Sequence, residues 1–253
     1  MSSDFPCPLL LGHRGAGGVA PENTWPAFEA AKNAGVHGFE IDVLLTRDRV
    51  PVVVHDLTLR RLVGGEQAIH EMEFKELARL EVGSHFHPRF QGERIPRLEE
   101  VLDAYGGEMI LDIEIKGYSP FYNGIEEIVI ELLRKRGLFD SVIISSFNPL
   151  ILKRVHELAP GIRTGSNYIS DFILQLRRIW FAPFIKPYSK HPQPGQVDES
   201  YLERQHRQGI KVIPWGVNDE GEIKRLLCLG VDGIISDFPE RLKRLATLVK
   251  SAR

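Results

Sequence analysis

Two cysteines, Cys7 and Cys228, are all that the 253 residues contain. They are too few and too far apart for a disulfide framework or a thiolate zinc site, so a reducing, cytoplasmic setting is expected. Long apolar runs are also missing. Stretches such as 52–54 and 143–144 fall far short of the ~20 residues that span a bilayer, and the N-terminus has no basic start of a secretion signal. An integral membrane protein is not expected. Neither sign of charge dominates: 32 Lys+Arg against 34 Asp+Glu leave a formal net charge of −2, which provides no bulk field for nucleic acid or an anionic membrane. Any recognition of phosphate must therefore be local. There is no internal repeat and no low-complexity tract.

What is present is the composition of a globular protein, 43% hydrophobic and 26% charged. Short apolar runs suited to buried strands (residues 8–12, 38–43, 52–55, 109–115, 142–145, 163–166, 211–215 and 233–236, with a weaker one near 182–186) alternate with amphipathic stretches. Helices are predicted over 24–34, 98–105, 124–136, 149–158, 169–180, 199–208, 220–229 and 239–251. Gly35, Gly137, Gly209 and Gly230 follow periodic stretches, where a left-handed C-terminal cap is expected. With no dinucleotide-type glycine fingerprint after the first strand, the pattern predicts an α/β fold of the (β/α)8 TIM-type barrel kind in one domain, 1–253. Residues 56–108 do not read as one βα unit. They are expected to form a small inserted subdomain at the barrel mouth, a distorted crossover being the alternative.

Chemistry-bearing residues fall at the carboxyl ends of predicted strands, where barrel enzymes build their sites. The first strand ends in His13-Arg14-Gly15-Ala16-Gly17-Gly18, which offers a guanidinium fork and close backbone approach for an anion. A period of two puts Glu40 and Asp42 on one face of the second strand, and Asp112, Glu114 and Lys116 on one face of another. Glu40, Asp42 and Glu114 would make an all-oxygen site for a hard cation, Mg2+ or Ca2+, with Lys116 as a point charge for a phosphate oxygen. The run 51–54 leads to His55-Asp56. Two histidines beside a cation site, an arginine and a lysine suggest phosphoryl chemistry by paired general acid and base.

At this point the sequence resembles the glycerophosphodiester phosphodiesterase family, in its bacterial single-domain form. His13-Arg14-Gly15, Pro21-Glu22-Asn23-Thr24, Glu40-Ile41-Asp42-Val43, Val53-Val54-His55-Asp56, Ile113-Glu114-Ile115-Lys116, Ser145-Ser146-Phe147, Val212-Ile213-Pro214-Trp215, Val217-Asn218-Asp219 and Gly233-Ile234-Ile235-Ser236-Asp237 carry the likeness in order. The resemblance implies a barrel with an insertion that cleaves glycerophosphodiesters to an alcohol and sn-glycerol 3-phosphate with a divalent cation. It implies His13 and His55 as catalytic acid and base, Glu40, Asp42 and Glu114 as metal ligands, and Arg14 and Lys116 as phosphate contacts.

Other residues stay open. Phe147 and Trp215 either wall the glycerol end of the pocket or pack at the barrel rim. Glu22 is a fourth candidate ligand, or belongs with Asn23 or Thr24 to a helix N-cap. After His55-Asp56 the chain reads Arg60-Arg61-Leu62-Val63-Gly64-Gly65, a departure from the family's Arg-Thr-Thr run. His85 and His87 have a spacing that either binds a transition metal or is solvated. Phe172, Ile173, Leu176 and Trp180 recur at helical spacing, with Arg177 and Arg178 on the other side and Phe184 beyond. This stripe either packs on the barrel or makes 172–184 a lip for peripheral lipid contact. The lip would turn the same frame toward a lysophospholipase D or other lipid phosphodiesterase, and a non-catalytic phosphate-binding barrel is a remote alternative. The expected partner is a small-molecule diester, not nucleic acid. Self-association into a homo-oligomer is left open.

Overall fold

A computed structural model describes residues 5–117, 123–168 and 186–251. Its strands are β1 (Leu9–Gly12), β2 (Gly38–Leu45), β3 (Pro51–Val53), β4 (Ile110–Ile115), β5 (Val142–Ser146), β6 (Arg163–Asn167), β7 (Ser189–His191), β8 (Lys211–Val212) and β9 (Gly233–Ser236). Eight of them run parallel in the order β8-β7-β6-β5-β4-β2-β1-β9. The ends of that sheet meet: the N–H groups of Asp232 and Ile235 donate to the carbonyls of Val212 and Pro214, both at 2.9 Å. The result is the expected TIM-type barrel. Around it lie α1 (Trp25–Asn33), α2 (Leu98–Tyr105), α3 (Ile125–Arg136), α4 (Pro149–Leu158), α5 (Glu199–Arg207), α6 (Glu220–Leu229) and α7 (Pro239–Ser251). Gly35, Gly137, Gly209 and Gly230 all have positive φ, as expected of caps. No helix of the described residues is long and apolar enough to cross a membrane.

The strand period sorts the side chains. Leu10, Phe39, Ile41, Val43, Leu111, Ile113, Ile115, Val142, Ile144 and Ile234 join the helices in the main core. On the alternate positions Leu9, Leu11, Ile143, Ile213 and Ile235 form a small apolar plug inside the barrel. Beyond the plug the inward positions turn polar, and Glu40 lies opposite Asp112 while Asp42 lies opposite Glu114. Strand alternation therefore stacks the acids inside the carboxyl end.

Residues 52–55 were expected as a barrel strand, and here the structure differs. β3 runs antiparallel to β2 and lies off the eight-stranded ring. The turn at 46–50, too short for a parallel crossover, is closed by Thr46, whose Oγ1 accepts the Val50 N–H at 2.9 Å. The hairpin brings the chain back along β2, so that the Val54 N–H reaches the Asp42 carbonyl at 2.9 Å and His55 still arrives at the mouth. Val52 and Val54 pack with Leu44, Leu59, Leu62, Ile69, Leu77, Val82 and Ile95 in a separate apolar cluster under the short turns of 60–90. α2 instead joins the main core through Leu98, Val101, Leu102 and Tyr105. The weak strand expected near 182–186 lies, but for residue 186, outside the described residues, and the strand expected over 211–215 is shorter, β8 ending at Val212. The predicted helix 169–180 and the stripe 172–184 lie outside the described residues.

Gly38 opens β2 so close to β4 that a Cβ there would fall 1.8 Å from the Ile110 carbonyl oxygen. Gly38→Ala is expected to cost about 1–3 kcal/mol and to lower the Tm by roughly 2–4 °C per kcal/mol. An unchanged melting curve would contradict this strand packing.

Candidate active site

Glu40, Asp42 and Glu114 each offer a carboxylate oxygen within 4.8 Å of the others, and all three are buried. Their charge is answered chiefly by Lys116, 4% exposed, whose Nζ lies 2.8 Å from Asp42 Oδ1 and 2.6 Å from Glu114 Oε1. The ammonium expected to await a phosphate thus bridges two of the acids. Neutral amides complete the shell: Asn23 Nδ2 donates to Asp42 at 2.9 Å and Asn167 Nδ2 to Glu114 at 3.0 Å. Burial pushes Glu40 well above the ordinary carboxylate range, and Asp42 and Glu114 add to the rise. Burial also raises Glu114, with Lys116 opposing. At Asp42 burial is outweighed by Lys116, Arg14 and His55, which hold it well below that range. Glu40 Oε1 is buried without a hydrogen-bond partner. An all-carboxylate donor set with an orphaned oxygen fits a hard divalent cation. Among the described residues this is the group of acidic, histidine or cysteine side chains that could hold a metal ion. His87 instead uses Nδ1 to accept the Arg89 N–H at 3.2 Å.

Each mouth histidine has its Nδ1 on a carboxylate. His13 Nδ1 is 2.6 Å from Asp237 Oδ1, and its Nε2 is 3.9 Å from Glu40 Oε2. Asp237 is held by Asn218, whose Nδ2 donates to it and whose Oδ1 accepts the Asp237 N–H at 2.9 Å. His55 Nδ1 is 2.7 Å from Asp56 Oδ1. Burial lowers the pKa of His55, with Asp42 opposing. The loop between them is wound tightly. Arg14 has φ +52 and Gly15 φ +82, and a Cβ on Gly15 would fall 2.7 Å from the Ala27 backbone carbon. Glycine is required there. The turn aims the Arg14 N–H at Glu40 Oε2, 2.9 Å away, and leaves Arg14 Nε buried without a hydrogen bond, 3.4 Å from Asp42 Oδ2.

Glu22 stands apart from the triad. It accepts from Arg14 at 2.9 Å and, in a fork, from Arg61 at 2.8 and 2.6 Å. Thr24 occupies the N-cap position of α1 and gives its hydroxyl to the Pro21 carbonyl, while Asn23 reaches across to Asp42. Phe147 and Trp215 meet edge to face at 5.8 Å, Trp215 lies 6.1 Å from the His13 ring, and Lys116 sits 5.9 Å over Phe147. The two rings therefore line the same mouth.

Several contacts went unassigned from sequence alone: Asp237 and Asn218 behind His13, Arg61 behind Asp56 and Glu22, and Asn167 behind Glu114. Strand alternation could have signalled two of them, because Asp237 follows Ile235 and Asn167 follows Gly165 by two. Deeper in the barrel, Asp112 is pushed up to about 7 by burial, with Glu114 and Asp42 adding to the rise. His191, 3.4 Å away, is pushed down to about 3.

Fold and site together define a TIM-barrel hydrolase. Residues 13–241 match the profile of the glycerophosphoryl diester phosphodiesterase family, and the chain belongs to that family. It is 36% identical over 242 residues to a glycerophosphodiester phosphodiesterase of Caldanaerobacter subterraneus, covering 94% of this chain and 97% of that one. A glycerophosphodiester phosphodiesterase of Bacillus altitudinis is 33% identical, with 95% and 99% covered. The structure of an Oleispira antarctica phosphodiesterase in complex with the product sn-glycerol-3-phosphate is similar, with a TM-score of 0.80, 30% identity, and 95% and 97% coverage.

Because Asp112 binds its proton more tightly when folded, it contributes stability at low pH that is lost as pH rises from its usual 3.8 to about 7. Asp112→Asn should flatten the metal-free stability profile across that window in denaturant titrations. A wild-type slope in the variant would contradict the assignment.

Proposed function

We propose that this chain hydrolyses glycerophosphodiesters to an alcohol and sn-glycerol 3-phosphate, with His13 and His55 as general acid and base. The observation that carries the proposal is the matched pair of histidines beside the carboxylate triad, each with Nδ1 on an acid, at 2.6 and 2.7 Å. An Nδ1–H given to Asp237 or Asp56 leaves Nε2 free to exchange a proton with substrate. Glu40, Asp42 and Glu114 would hold a divalent cation, Mg2+ or Ca2+, which when bound supplies positive charge to a non-bridging phosphate oxygen. Arg14, with its unused Nε–H, and Lys116 would serve the remaining phosphate oxygens, and Phe147 with Trp215 would wall the glycerol carbons. In this reading 56–108 is an insertion within one domain, and it brings Asp56 and Arg61 to the site.

Chemistry then runs in two displacements. The glycerol 2-hydroxyl attacks phosphorus in line, one histidine takes its proton, and the other protonates the alcohol oxygen as its bond to phosphorus breaks. Water opens the resulting cyclic phosphate with the two roles exchanged. The balance is one diester and one water to one alcohol and one sn-glycerol 3-phosphate.

The test is product release from glycerophosphocholine, glycerophosphoethanolamine and lysophosphatidylcholine, with Mg2+, with Ca2+ and with EDTA. Expected are glycerol 3-phosphate from the soluble diesters, its loss in EDTA, and a kcat lowered by about 10²–10⁴ in His13→Ala and in His55→Ala. Choline and lysophosphatidic acid from the lysolipid alone would overturn the substrate assignment. Full turnover in either histidine variant would overturn the mechanism.

A further inference from the structure

Arg61 joins both halves of this site. Its Nε donates to Asp56 Oδ2 at 2.7 Å, and its Nη1 and Nη2 fork onto Glu22 at 2.8 and 2.6 Å. The other oxygen of Asp56 holds His55 Nδ1 at 2.7 Å. Glu22 Oε1 also receives Arg14 Nη1 at 2.9 Å. A continuous chain of charge-assisted hydrogen bonds therefore runs from His55 through Asp56, Arg61 and Glu22 to Arg14. Arg61 itself sits on a short helical turn, Arg60–Val63, while Glu22 lies in the loop that follows β1. The side chain is 44% exposed against 17% for Glu22 and 26% for Asp56, so it closes the network from outside rather than facing the phosphate.

We infer that Arg61 is a positioning residue: through Asp56 it fixes the ring of His55, and through Glu22 it fixes the fork of Arg14, so that one side chain sets proton transfer and phosphate binding together. The inference rests on the proposed roles of His55 and Arg14 and adds the element that ties them. Three donors in a fixed plane are used at once, two on one carboxylate and one on another. A lysine offers a point charge without that planar fork and cannot reproduce the arrangement. A misplacement of about 1 Å in a reacting group is enough to cost about 10²-fold in rate. The half-exposed setting makes the ion pairs themselves a weak source of stability, which separates positioning from a merely structural part.

The experiment measures kcat and KM per folded molecule, with Mg2+, for the wild type and for Arg61→Ala, Arg61→Lys, Asp56→Asn, Glu22→Gln, the Asp56→Asn/Glu22→Gln pair and the triple variant. Thermal unfolding fixes the folded fraction of each. The expected pattern is a lower kcat in Asp56→Asn, a raised KM in Glu22→Gln, and both in Arg61→Ala, with kcat down about 10²-fold. Arg61→Lys should resemble Arg61→Ala. Removing Arg61 from the Asp56→Asn/Glu22→Gln background should change either constant less than about 2-fold, because the groups it acts through are already lost. If Arg61→Ala does not fold, Arg61→Lys carries the same test. Wild-type kcat and KM in Arg61→Lys, or a full additional loss in the triple variant, would overturn the inference while leaving His55 and Arg14 in their roles. Wild-type turnover in His55→Ala would instead overturn the reading beneath it, and this inference with it.

Discussion

Lys116 between Asp42 and Glu114 is the interaction on which the arrangement of this barrel mouth depends. Ionised carboxylates do not survive burial unpaired, and here two adjacent parallel strands stack Glu40, Asp42, Asp112 and Glu114 in one layered interior. One ammonium at 2.8 and 2.6 Å keeps Asp42 ionised and limits the rise of Glu114. Glu40 has no cation of its own at Oε1, and burial drives it toward the protonated form. Within the triad, Glu40 is thus the acid that Lys116 leaves unanswered. That unanswered carboxylate is what suits the triad to a hard cation, where a structural salt bridge would be closed on itself.

The same economy governs the rim. Neither histidine is left to find its own orientation: Asp237 and Asp56 engage the two Nδ1 atoms, and each acid is in turn held, by Asn218 and by Arg61. Positive φ recurs around the site at Arg14, Gly15 and Asn23, and the turn at Arg14 and Gly15 aims a backbone N–H at Glu40. Such conformations persist when surrounding contacts over-determine them, and here they deliver the only backbone donor recorded to the triad's Glu40 carboxylate among the described residues.

Much of this was legible in the sequence because strand alternation is a local rule. Glu40 with Asp42, and Asp112 with Glu114 and Lys116, declared a shared face two residues at a time. The parallel order followed from apolar runs separated by helices. What could not be read was long-range. The 51–55 run has the composition of a barrel strand, and only the tight turn at Thr46 and Val50 reverses it into a hairpin. His13 and Asp237 are joined over 224 positions, and Arg61 reaches Glu22 over 39. No local period announces such pairs. Lys116 was expected as a spare charge, since its spacing on β4 says nothing of the acid on the neighbouring strand that claims it.

Calorimetric titration of Mg2+ and Ca2+ into the metal-free protein decides whether Glu40, Asp42 and Glu114 form a cage for one hard cation. One divalent ion should bind per chain, and that binding should be lost in Glu40→Gln, which keeps the shape of the side chain and removes its charge. Equal affinity in the wild type and the variant would contradict it.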